Sequence, residues 1–156
     1  MAQIRRVMLP TGFSELSKHA AEYVKLLVPQ LDAELDVVHV VSHTELVMDP
    51  GMPGASMPIP STSTQELLVQ SRMAMESFIR EVIPELSERT RTFTSIGGIV
   101  DELMKHVHTH AIDLIIMGTH ADGLLKRLIW GSIGKSILEQ APCPVFLVPV
   151  KGAKRA

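Results

Sequence analysis

Five short apolar runs, each separated from the next by a stretch in which apolar residues recur every three or four positions, constrain this chain more than any other feature. The runs are Ile4 to Leu9, Leu35 to Val41, Thr90 to Ile96, Asp113 to Met117 and Val145 to Val150. The second, fourth and fifth are nearly continuous and rich in β-branched residues, as in parallel strands covered on both faces. The third alternates, with Thr90, Thr92 and Thr94 on one face, which puts it nearer a sheet edge.

Between the first two runs, Leu16, Ala20, Tyr23, Val24, Leu27 and Leu31 mark one face of a helix over Ser14 to Leu31. Ser14 is its natural cap, and Pro29 weakens only the last turn. Leu67, Met75, Phe78, Ile79, Val82 and Leu86 mark a second helix over Ser63 to Ser87. It opens with the capping-box pattern Ser63-Thr64-Gln65-Glu66, and Pro84 should kink it or end it early. Ile99 to His110 and Ser132 to Ala141 supply two more helices, the last closed by Pro142 and Pro144. The resulting β-α alternation describes an open five-stranded parallel sheet with helices on both faces. With the strands ordered 3-2-1-4-5, the ligand crevice of such a sheet lies between strands one and four, beyond their carboxyl ends.

A chain of 156 residues, 46% of them hydrophobic, suits one domain over 1–150 with a short tail at 151–156. Its formal charge of −2 offers no basic field for nucleic acid. No apolar run approaches the roughly 18–20 residues that span a bilayer, and "MAQIRRVMLP" is too short in its apolar part for a signal segment. The single cysteine, Cys143, fits a reducing compartment, and the expected location is the cytoplasm.

Four of the ten glycines, at 118, 123, 131 and 134, fall between Met117 and Leu138. Gly118 ends the fourth strand and bares backbone, while Gly131-Ser132 opens a helix whose free amides and dipole favour an anion. Lys126 and Arg127 lie between them. Spacing alone leaves two readings open, a phosphate cradle or a connection broken by glycines. The pattern is neither the P-loop nor the dinucleotide fingerprint.

Gly118-Thr119-His120-Ala121, nine further residues, then Gly131-Ser132 resembles the G-x2-G-x9-G-[ST] signature of the universal stress protein family. "VMLPTGFSE", "VVHVV", "DLIIMGTH" and "GSIGKSILEQAPCPVFLVPV" extend the likeness in order along almost the whole chain. The resemblance implies the 3-2-1-4-5 fold of the adenine-nucleotide α-hydrolase type, a homodimer joined through the strand at 144–150 and, in one branch of the family, bound ATP, with which Mg2+ would travel. Carried over by position, it implies nucleotide contacts at Pro10, Thr11, Val40, Met117, Gly118 and His120, with Gly131, Ser132 and Ile133 at the phosphates. Two positions depart from the family pattern. Gly12 stands where nucleotide-binding members carry an acid after P-[TV], and Ala121 replaces the second signature glycine. The alternative is therefore a dimeric interaction protein of the same fold that takes no nucleotide.

The remaining candidates carry less chemistry. His106 and His110 share a helix face from which His108 turns away, and with no acidic or cysteine partner at ligand spacing they read as solvated helix-end histidines, not as metal ligands. His39 reads as a core or sheet-end histidine, and Cys143 as a buried inert thiol. Ser14, Ser132 and Ser136 lack a base with its orienter, so no catalytic residue is assigned and at most slow ATP hydrolysis is expected. The loop from His43 to Ser63, with four prolines and three methionines, reads as a surface excursion or a lid.

Overall fold

In the computed structural model the described residues are 2–42, 64–120 and 131–150. They form strands β1 (Arg6–Pro10), β2 (Glu34–Ser42), β3 (Thr90–Gly97), β4 (Leu114–His120) and β5 (Val145–Val150), with helices α1 (Glu15–Gln30), α2 (Thr64–Val82), α3 (Ile99–Thr109) and α4 (Gly131–Gln140) between them. The sheet is parallel throughout and runs β3-β2-β1-β4-β5. The Thr-rich β3 lies at one edge, as its alternation suggests.

Side-chain alternation along the strands divides the interior into two cores. Val7, Leu9, Leu35, Val37 and Ile116 face α1 and α2, where they meet Val24, Val28, Met75 and Phe78. Met8, Val38, Val40 and Ile115 face Leu103, Val107 and Ile137 on α3 and α4. Each such side chain taken from water contributes about 1.5–3 kcal/mol, and covering both faces explains why β2 and β4 read as nearly continuous apolar runs.

Two helices stop within a residue of where their apolar spacing predicts, although neither end uses glycine. Asp32 after α1 and Ala111 after α3 take left-handed backbone, with φ of 49° and 51°. The following amides, Ala33 N–H to Val28 O at 3.0 Å and Ile112 N–H to Val107 O at 3.1 Å, close six-residue turns on the last free carbonyls. Each turn delivers the chain straight into a central strand. Ser14 does stand at the start of α1, but its hydroxyl makes no capping bond; only its carbonyl takes part, accepting from Lys18 N–H at 3.1 Å. The second helix is shorter than its apolar spacing predicts. It ends at Val82, and Pro84, which has no amide to continue the ladder, opens a separate 3-10 turn over Pro84–Arg89. Ser63, the cap expected there, and the loop to which it belongs lie outside the described residues.

A carboxylate ties the start of the central strand to its later neighbour. Asp113, just before β4, accepts from the Arg5 and Arg6 amides at 2.8 and 2.9 Å through one oxygen.

Candidate functional site

The carboxyl rim of the sheet opens where the strand order reverses. β1 stays paired with β2 as far as Pro10↔Val38, and β4 with β5 as far as His120↔Val150, but the β1–β4 ladder stops at Met8↔Ile115. Past that point the two middle strands run on without pairing to each other, which leaves a crevice bounded by backbone.

Pro10 and Thr11 leave β1 at this rim. Thr11 is buried; its amide donates to Val38 O at 2.9 Å and its carbonyl accepts from His39 Nδ1 at 2.7 Å. Its Oγ1 accepts from the Phe13 amide at 3.0 Å. These bonds hold the turn that follows, in which Phe13 takes a φ of 61° and lays its ring 4.5 Å from His39 and 6.1 Å from Phe78. His39 is thus a sheet-end histidine serving the β1 turn. Gly12 sits exposed beside this turn, with its amide donating to Ser17 Oγ at 3.2 Å and nothing within 4 Å of the position a Cβ would take.

On the opposite face Val40 is buried, and Met117 packs against the same core. Gly118 follows on β4 with its missing side chain turned to α1. A Cβ there would collide with the Leu16 carbonyl oxygen and stand 2.8 Å from the Leu16 carbonyl carbon, so this glycine is required by the close approach of helix to strand. His120 ends β4, Gly131 and Ser132 open α4, and Ile133, 38% exposed, completes its first residues. No acid stands in that first turn to offset the positive end of the helix. The expected contacts therefore come from the ends of β1, β2 and β4 and from the start of α4. Ala121, Lys126 and Arg127 lie outside the described residues.

A second polar centre lies toward the other end of β2 and was missed in the sequence. Asp36, 0% exposed, accepts a fork from Arg91 on β3: Nε and Nη2 reach Oδ1 at 3.0 and 2.9 Å, and Nη2 reaches Oδ2 at 3.0 Å. His106 on α3 donates from Nε2 to Oδ2 at 2.9 Å. Burial, the largest single influence, works to raise the Asp36 pKa, yet the bonds from His106 and Arg91 together outweigh it and hold the carboxyl below its usual range. His106 is buried, contrary to the solvated reading of this helix end, because α3 packs this face onto β2 and the partner acid comes from 70 residues earlier. The signal was available: an aspartate inside the apolar run "LDVVHVV" demands a partner.

An open parallel sheet with the order 3-2-1-4-5, covered by helices on both faces, defines a doubly wound α/β domain. A sequence model of the universal stress protein family matches residues 3–149, and the chain belongs to that family. It is 26% identical over 144 residues to universal stress protein MJ0531 of Methanocaldococcus jannaschii, covering 92% of this chain and 81% of the relative. The solved structure of protein MJ0577, from the same organism, superposes with a TM-score of 0.70 at 22% identity, over 97% of this chain and 99% of that one. A universal stress protein in complex with cAMP gives 0.63 at 15% identity, over 94% and 98% of the two chains. The Archaeoglobus fulgidus protein in complex with dAMP gives 0.62 at 13% identity, again over 94% and 98%. These structures share the fold.

Proposed function

We propose that this chain is a homodimeric regulatory module of the stress response that binds an adenine nucleotide, ATP with Mg2+, in the crevice between β1 and β4. The observation that carries the reading is the end of the β1–β4 ladder at Met8↔Ile115, which parts the two strand ends and makes room for a base and ribose. Pro10, Thr11, Val40, Met117, Gly118 and His120 would line the nucleoside. The amides of Gly131, Ser132 and Ile133, at a helix start with no acid in its first turn, suit the phosphates. The cAMP and dAMP complexes of family members support the ligand class. A regulatory role, not fast catalysis, is the reading that the sequence favours, in which Ser14, Ser132 and Ser136 have no recognisable base with its orienter. Cys143 as the only cysteine suits work in the cytoplasm.

Dimerisation would use the β5 edge. Phe146 on β5 and Tyr23 on α1 are 39% and 42% exposed with ring centroids 5.5 Å apart, an apolar surface beside a strand whose outer edge has no partner strand among the described residues.

A second reading, an interaction protein of this fold that takes no nucleotide, draws on Gly12 at the acid position and on Gly118, whose identity helix packing alone explains. Titration calorimetry of nucleotide-stripped protein with ATP and Mg2+ decides between them. Micromolar binding that disappears in Gly131→Val supports the nucleotide reading, and no heat up to millimolar ATP supports the other.

A further inference from the structure

We propose that Asp36, His106 and His110 form a binding site for a divalent transition-metal ion of the zinc type, separate from the rim crevice. Asp36 and Val40 lie on the same face of β2, about 13 Å apart along the strand, so the site sits below the crevice at the β3 side of the sheet.

The donor set is two imidazoles and one carboxylate, a combination suited to Zn2+ and its neighbours. One ligand atom from each of the three residues lies within 4.8 Å of the others. Ligands arranged around zinc at about 2.0–2.1 Å stand roughly 3.4 Å apart, so small side-chain rotations close the set. His106 and His110 stand four residues apart on α3, with ring centroids 4.0 Å apart. The His110 tautomer is fixed by the backbone: Nδ1 donates to the His106 carbonyl at 3.3 Å, and a carbonyl can only accept, which leaves the Nε2 lone pair for a metal. His106 Nε2 and Asp36 Oδ2 are already 2.9 Å apart, a separation suited to two adjacent ligands. An entering cation would take the place of the Nε2 proton, which leaves to solvent. Phe93 packs against both rings, at 4.5 and 4.7 Å, and supplies an apolar wall.

Among the described residues bonded to this cluster, Arg91 is the group that opposes a cation. Its fork bears chiefly on Oδ1, and its side chain is 43% exposed, so it can keep Oδ1 while yielding Oδ2. In that position it would orient the carboxylate as an outer partner of the metal ligand. Three protein ligands leave a coordination position for water.

The test is calorimetric titration of tag-free full-length protein with ZnCl2, with CoCl2 absorption and histidine NMR signals as spectroscopic readouts. Saturable uptake of one ion per chain is expected, shifting the His106 and His110 signals together. His110→Ala removes a half-buried ligand without touching the Asp36–Arg91 fork, and should weaken Zn2+ at least tenfold. His108→Ala, on the exposed face, should bind as the parent does. The proposal is overturned if no saturable uptake occurs, or if His110→Ala binds Zn2+ as tightly as the parent, the mark of adventitious capture by surface histidines. If His110→Ala melts well below the parent, its NMR spectrum at low temperature still reports whether Zn2+ shifts His106.

Discussion

Gly118 on β4 and Leu16 on α1 meet backbone to backbone, with no room between them for a single methyl group. The contact sets the height of α1 above the sheet and brings its first turn to the rim of the crevice. Gly118→Ala must push the helix away from the strand, at a cost of about 1–3 kcal/mol typical of overpacking. Urea unfolding should show that loss with the nucleotide absent. A variant as stable as the parent but unable to bind ATP would instead assign the glycine to the ligand.

Gly12 presents the opposite case. With open space around its Cβ position and no left-handed backbone to hold, Gly12→Asp should fold as the parent does. It would restore the acid that the family pattern carries there. A charge-assisted bond to the nucleoside is worth about 1.5–3 kcal/mol, so ATP affinity should rise about tenfold to a hundredfold. Unchanged affinity in calorimetry would count against a nucleoside lying beside this turn.

Arg89 and Arg91, two residues apart in sequence, each pair with an aspartate, and the two ion pairs differ in how deeply the aspartate is buried.

 The partner of Arg91, Asp36, is fully buried, whereas Asp32, the partner of Arg89 at 2.8 Å, is 86% exposed. Arg91→Met would strand a buried carboxylate with His106 alone and should cost about 3–5 kcal/mol. Arg89→Met should cost less than about 1 kcal/mol, because water takes over the Asp32 charge. Equal denaturation midpoints for the two variants would show that Asp36 is reached by solvent.

The Tyr23–Phe146 pair should report assembly. Phe146→Glu places a charge on the β5 edge, and light scattering at micromolar concentration should then give a monomer mass where the parent gives a dimer. A parent that is itself monomeric would remove β5 as the interface.

Cys143 should react slowly. Burial, and secondarily the Asp113 charge, raise its pKa above the ordinary thiol value, which leaves little thiolate at neutral pH. Alkylation by iodoacetamide should be slower than for a free cysteine at pH 8 and should accelerate as the pH is raised. A rate matching that of free cysteine would mean that the thiol is solvated.

Most of the architecture was legible because parallel strands covered on both faces must be apolar throughout, as β2 and β4 are; β5 is just as apolar but lies at a sheet edge, where of residues 145–149 only Val148 is buried. The family pattern added the strand order. What escaped notice depends on contacts between distant positions. His106 looked like a solvated helix end because Asp36 and Arg91 lie 70 and 15 residues away in sequence. The packing role of Gly118 was hidden because its neighbour, Leu16, is contributed by a different element. The ends of α1 and α3 were legible from the apolar spacing alone, since Asp32 and Ala111 take the backbone conformation that glycine usually signals.

The Asp113 carboxylate on the Arg5 and Arg6 amides carries a kinetic consequence, since these contacts join positions 108 and 107 residues apart. The strand at the middle of the sheet is made before its neighbours and receives one of them only after more than a hundred further residues, since the joined positions lie 107 and 108 apart. Loop closure over such a span is costly before packing compensates for it, so β1 must wait, half-flanked, for β4 to emerge. Folding on the ribosome would then pass through a stage in which the apolar flank of β1 is open, and that flank is where a chaperone or a second nascent chain would first bind.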